Sequence, residues 1–201
     1  MKKNEEIKEI IITNTKELMR KKGNITIKDI AQKSYVNIAA VNYYFGDKEN
    51  LLSIVINQVV SELKVDVNKT LSLLTPLDRV EDIFTAMIDI IYRFALENTG
   101  IINYMFLYSR TQKDTSNLLL KEFLSKNEFT DQILTMMSES SGETDQKKLY
   151  ARYMMLFSSC CIPMFIDLLK DQTSGSALNI LSLRDEEFRK VYINELIRVL
   201  K

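Results

Sequence analysis

Apolar residues recur at helical spacing along almost the whole chain. Over residues 4–22, Ile7, Ile10, Ile11, Thr15, Leu18 and Met19 fall on one helical face, and Gly23 ends the run. Thr26-Ile27-Lys28-Asp29 reads as a capping box that opens a second helix of about two turns. Asn37 is placed to cap a third, Ile38 to Phe45, which Gly46 closes. Asp47 then caps a long fourth helix through Leu51, Leu52, Val55, Ile56, Val59 and Val60 toward Leu73.

Thr75-Pro76 marks the next start, with proline at the first helical position. That helix should reach about Asn98. Its wet stripe is Asp78, Asp82, Thr85, Asp89 and Arg93, and its dry one is Val80, Ile83, Phe84, Met87, Ile90, Ile91 and Phe94. Shorter patterns predict helices over 100–112 and 115–139, with Ser140-Ser141-Gly142 as a loop. A long helix follows from about Asp145 to Asp171, then a polar loop from Gln172 to Gly175. Ser182-Leu183-Arg184-Asp185 reads as a second capping box, opening a terminal helix that ends near Leu200. No strand-like alternation, repeat or low-complexity tract interrupts this series. The expected fold is all-α, with about nine helices.

Composition agrees. Five glycines and two prolines in 201 residues favour long helices over a turn-rich sheet. Formal net charge is zero, but residues 1–50 carry a small basic excess and the remainder an equal acidic one. A basic head on an acidic body suits a nucleic-acid reader joined to a second function. The chain has no histidine, so Ser-His-Asp and Cys-His catalysis and the commonest metal ligand are excluded. No cofactor or metal is expected, and an enzyme is disfavoured. Cys160 and Cys161 lie together in an apolar run, where free cysteine acts as a small hydrophobe, and no disulfide framework exists. The longest apolar stretch, Tyr153 to Leu169, contains Ser158, Ser159, Pro163 and Asp167 and is short for a bilayer. A cytoplasmic protein without a membrane partner is the expectation.

Between Thr26 and Phe45 two short helices are joined by Ser34-Tyr35-Val36. Ile30 and Ala31 face inward on the first and Val41 on the second. Small Ala31 allows the crossing of roughly 90–120° that a helix-turn-helix needs. The second helix can then lie in a major groove with its N-terminal residues at the base edges.

The order Ile27-Lys28-Asp29-Ile30-Ala31, Val36-Asn37, then Val41-Asn42-Tyr43-Tyr44-Phe45-Gly46-Asp47-Lys48-Glu49-Asn50-Leu51-Leu52 resembles the DNA-binding domain of the TetR family. The Tyr-Tyr-Phe and Lys-Glu-x-Leu segments carry most of the likeness, which covers about a quarter of the chain. The resemblance implies a helix-turn-helix domain over 1–50 and a helical ligand-binding and dimerisation domain over 51–201. It implies that Thr26 and the start of its helix meet phosphate, and that Asn37, Ile38, Ala39, Ala40 and Asn42 face the bases. Tyr43 would touch the backbone, and Lys48 would clamp a phosphate at a helix N-terminus. Asn42 is the candidate for bidentate adenine reading, and Ala39 and Ala40 could receive thymine methyls. Tyr44 stands where the family often has histidine, with core packing as the competing role. Val41 and Phe45 are core, and Asn37 also serves as a cap. The third helix has no Arg or Lys, so affinity should lean on Lys2, Lys3, Lys28 and Lys48. Tyr35 departs from the glycine common in this turn. If that position needs positive φ, tyrosine costs about 1–2 kcal/mol there.

The resemblance also implies dimerisation through the last two long helices. Met154 to Ile166 is apolar nearly all round, so one face can pack on its own chain and the other on a second copy. Cys161, Phe165, Phe188, Tyr192 and Leu196 are the candidate interface residues, giving a four-helix twofold contact, and Pro163 should kink the longer helix. Tyr92, Tyr104, Met105, Tyr108, Phe123, Met154 and Phe157 are the candidate pocket for a small, mostly apolar effector, with ordinary core as the competing reading. Neither Asp89, on a wet stripe, nor Asp167, near Lys170 and Asp171, reads as a counter-ion for a ligand. The expected function is a ligand-responsive transcriptional repressor that binds a palindromic operator as a homodimer. An activator, or a helical small-molecule binder or enzyme with an incidental helix-turn-helix, are the alternatives.

Overall fold

A computed structural model describes residues 2–73, 80–107, 120–172 and 181–200, with the side chains of some of these left undescribed. Among the described residues the chain is all helical, with no strand and nine α-helices. They are α1 (Lys2–Lys21), α2 (Ile27–Lys33), α3 (Ile38–Phe45), α4 (Lys48–Leu71), α5 (Val80–Glu97), α6 (Thr99–Leu107), α7 (Glu128–Ser141), α8 (Gln146–Gln172) and α9 (Glu186–Leu200), with a π-helical turn at Leu120–Leu124. The Thr75-Pro76 start lies outside the described residues.

The chain packs as two compact units. The first comprises Met1–Glu62 and Leu96–Leu120, the second Leu63–Ala95 and Lys121–Lys201. In the first unit, α1 packs on α2 and α6, and α2 on α3. Ile11, Met19, Ile25, Ile30, Val41, Leu51, Leu52, Val55 and Ile56 are its fully or almost fully buried centre. The predicted caps close its short helices. Thr26 Oγ1 accepts from the Asp29 amide at 3.2 Å, while Asp29 Oδ2 accepts from the Thr26 amide at 2.8 Å. Asn37 Oδ1 accepts from the Ala40 amide at 2.7 Å, and Asp47 Oδ1 from the Asn50 amide at 2.8 Å.

The turn between α2 and α3 is a Schellman closure. The Val36 amide reaches back to the Ala31 carbonyl at 3.0 Å and the Tyr35 amide to that of Gln32 at 3.3 Å. This pattern places Tyr35 at the residue that must turn left-handed, and its φ is +55°. The ring is almost wholly solvent-exposed, at 96%, so no packing offsets the backbone cost.

In the second unit the expected helix over 115–139 is divided. The π turn ends at Leu124, Ser125 to Asn127 bend, and α7 starts afresh at Glu128. The reason is Asn127. Its side chain accepts from the Thr130 amide, and its Nδ2 donates to the carbonyls of Lys121 and Glu122 at 3.0 and 3.1 Å. One residue thus caps a new helix and satisfies the end of the preceding turn. Tyr150 and Tyr153 of α8 donate to the carbonyls of Leu124 and Phe123 and hold the same turn. At the terminal helix the cap is Asp185, which accepts from the Phe188 amide at 2.9 Å, whereas Ser182 accepts from Arg184. The predicted box therefore starts one turn too early.

Pro163 lies inside α8, which continues through it to Gln172. Proline has no N–H, so the Ser159 carbonyl one turn earlier loses its helical donor. The Tyr192 hydroxyl of α9 donates to that carbonyl at 2.8 Å.

Two stability changes follow. Tyr35→Gly should raise unfolding free energy by about 0.5–1 kcal/mol, relief of left-handed strain exceeding the added entropy of the unfolded chain. Tyr192→Phe should lower it by about 1–2 kcal/mol by orphaning the Ser159 carbonyl. Urea unfolding checks both, and opposite signs would contradict the turn and the proline repair respectively.

Candidate functional site

The outer face of α3 follows from its inner one. Val41 and Phe45 are buried against the first unit, which turns Asn37, Ile38, Ala39, Asn42 and Tyr43 outward. All five are exposed, Tyr43 at 79%, and Ala40 is half-buried. This is a small convex surface of two amides, two methyl-bearing side chains of different size and a phenol, with no charge of its own. Amides supply paired donors and acceptors, and the alkyl groups supply apolar contacts.

Other candidates are more engaged. The Thr26 hydroxyl donates to Asp29 Oδ2 at 2.7 Å, so it serves its own helix first. This arrangement, with the Thr26 amide, holds the Asp29 carboxyl below its usual range. Tyr44 is half-buried: its hydroxyl donates to Asn4 Oδ1 at 3.3 Å, and the Lys8 ammonium lies 6.0 Å from its ring centre. These contacts tie Tyr44 to α1. Lys28 is exposed. Lys48 is half-buried beside the start of α2, its ammonium donating to the Ile25 carbonyl at 3.4 Å and pairing with Glu49 at 3.1 Å.

The proposed effector residues divide between the two units. Tyr104 and Met105 are buried in the first, where the Tyr104 hydroxyl donates to Glu49 Oε2 at 2.8 Å. Burial, then this carboxylate, raise the Tyr104 pKa well above its ordinary value. Tyr92, Phe123, Met154 and Phe157 belong to the second unit, and Tyr108 lies outside the described residues. Phe123 and Phe157 line an apolar cavity with Met87, Phe129, Tyr153 and Leu156, but its volume is only about 20 Å³. That is room for about one water, against roughly 300–1,000 Å³ for a ligand pocket. Met154 faces outward.

Tyr92 leads instead to a group that sequence reasoning missed. Its hydroxyl donates to Asp167 Oδ2 at 2.8 Å, and Asp167 is only 5% exposed. Burial first, and this carboxylate second, raise the Tyr92 pKa far above the phenol range. The Arg189 guanidinium lies 5.5 Å from the Tyr92 ring centre and pairs with Asp89 at 3.2 Å. A buried carboxylate of this kind can receive a hydrogen-bond donor or a cation. Its signal was an acid inside the apolar run, discounted because charged neighbours follow it in the chain. Glu49 is present in the sequence motif but carries no role there.

Among the candidate interface residues, Phe188, Tyr192, Leu196 and Cys161 are half-buried, and the Phe165 side chain is not among those described. Tyr192 works within its own chain at Ser159, its ring 6.3 Å from that of Phe188. The outward apolar stripe of α8 is Met154, Met155 and Ile162, the last two at 55% and 60% exposure, and α9 adds Val191.

No helix among the described residues is long and apolar enough to cross a membrane, and none of them form a cluster of three or more metal-ligating side chains. No protein-family model matches the chain, and no curated protein sequence matches it.

Burial pushes the Cys161 thiol up to about 11, so its thiolate forms only as pH approaches that value. At pH 8 iodoacetamide should alkylate Cys161 on the order of a hundredfold more slowly than free cysteine added to the same reaction, read by tandem mass spectrometry of the peptide. Labelling at the free-cysteine rate would contradict the burial.

Proposed function

We propose that this protein is a TetR-type transcriptional regulator, most simply a repressor, that reads duplex DNA through α3 as a homodimer. The observation that carries the reading is the capped pair α2–α3 with its exposed face of Asn37, Ile38, Ala39, Asn42 and Tyr43 over buried Val41 and Phe45. Both helix starts are built as the motif requires, and the surface left outward has the chemistry of base-edge contact. Lys48, at the start of α4, supplies a phosphate contact beside it.

The exposed apolar stripe of α8 with Val191 of α9 supports pairing with a second copy. A twofold dimer presents two α3 helices, so its operator is an inverted repeat. An effector would act by preferring the form that does not bind DNA. An apolar effector seated in the 20 Å³ cavity would have to open it. Asp167 suggests a polar or cationic handle on such a molecule.

Selection of bound duplexes from a random pool at near-physiological salt should recover an inverted repeat. On that operator, Asn42→Ala should cost about 1–3 kcal/mol and relax preference at one position per half-site. Lys48→Ala should weaken all sequences alike and reduce the salt dependence of binding. Recovery of no motif, with binding lost at modest salt, would leave only non-specific attraction to phosphate and refute the regulator reading.

A further inference from the structure

The Lys48 ammonium stands at the junction of two helix starts. It belongs to the first turn of α4, and it donates to the carbonyl of Ile25, the residue before the α2 cap. The N-terminal end of the long helix α4 and the lysine on its first turn together favour an anion at this point. The structure already supplies one. Glu49 Oε1 lies 3.1 Å from the ammonium, and the pair is only partly exposed, at 28% and 36%.

Glu49 is not a loose surface acid. Its other oxygen accepts from the Tyr104 hydroxyl at 2.8 Å, and Tyr104 is buried on α6. The helix carrying that hydroxyl is itself seated by backbone contact. A Cβ on Gly100 would collide with the Met19 carbonyl oxygen, and Gly23 lies against the same place. The chain of contact from α1 through α6 and Tyr104 to Glu49 thus sets where the carboxylate stands. All of these residues belong to the first unit.

We infer that Glu49 is an intramolecular competitor for Lys48, occupying in the free protein the place of a DNA phosphate, and that Tyr104 positions it from α6. This rests on the DNA-reading proposal. A phosphate must draw Lys48 away from Glu49, so the pair lowers affinity and tunes the contact. The Tyr104 hydroxyl shares the carboxylate's charge. Removing it concentrates that charge on Lys48, so a change in α6 alters DNA affinity without touching the reading face.

The test is a double-mutant cycle on the full-length protein, read by fluorescence anisotropy with a mixed-sequence duplex at low salt. The wild-type protein, Lys48→Ala, Glu49→Gln and the double variant are compared. Glu49→Gln keeps an acceptor for Tyr104 and so preserves the fold, which melting curves check. Glu49→Gln should bind about two- to fivefold tighter than wild type, the scale of a partly exposed ion pair, with no gain in the Lys48→Ala background. Tyr104→Phe should bind about twofold weaker, and only while Glu49 is present. An equal gain from Glu49→Gln with and without Lys48 would show a general charge effect and overturn the inference. So would an unchanged affinity in Glu49→Gln when Lys48→Ala is weakened. If wild type fails to bind the duplex, the DNA-reading proposal itself falls, and this inference with it.

Discussion

Where α6 meets the end of α1, backbone touches backbone. Gly100 approaches the carbonyls of Met19 and Arg20 and the amide of Gly23, and a methyl at Gly23 would fall 2.8 Å from the Gly100 carbonyl. Neither glycine has positive φ, so each is required for space and not for its conformational freedom. That seat lets Arg20 donate to Asn98 at 2.9 Å and Tyr104 reach Glu49. The environment of Lys48 is therefore set partly from α6, a helix some fifty residues away in the chain. Gly23 looked in the sequence like a simple helix stop. Its second use, as one half of a close helix contact, needed the partner glycine to be visible beside it.

Tyrosine hydroxyls do much of the remaining polar work. Those of Tyr92, Tyr104, Tyr153 and Tyr192 donate respectively to Asp167, Glu49, the Phe123 carbonyl and the Ser159 carbonyl. An aromatic ring can be buried at little loss only if its hydroxyl finds an acceptor. Tyr92 and Tyr104 had the look of pocket lining, since ring size and hydropathy are all that spacing reveals. Their acceptors also tie α5 to α8 and α6 to α4. Tyr192 goes further, because it replaces the hydrogen bond that Pro163 removes and lets α8 run on as one helix.

The proposed reading surface has an unusual division of labour. α3 offers amides and apolar groups and no cation, so phosphate contact must come from its flanks. Exposed Lys28 and half-buried Lys48 lie on those flanks, and the Lys48 partner Glu49 is held in position. Affinity and base preference would then reside on different helices, which lets one be adjusted without the other. The strained Tyr35 sits at the entry to α3, where the Schellman turn admits no other geometry.

Periodicity, caps and stops along the sequence determined the helical class and most helix limits, because these are local properties: Thr26, Asn37 and Asp47 bond within a few residues of themselves. The likeness of residues 26–52 to a DNA-reading motif was equally local, and so was the inward face of Val41 and Phe45. Where a local pattern had two outcomes, only packing chose. The break at Ser125–Asn127 is set locally by Asn127, but the turn before it is held by Tyr150 and Tyr153 reaching across from α8. The burial of Asp167 depends on Tyr92, 75 residues earlier. The near-closure of the apolar cavity and the tether on Glu49 depend on which side chains meet. A hydrogen bond between distant residues leaves no period in the chain, so the tertiary structure alone decided them.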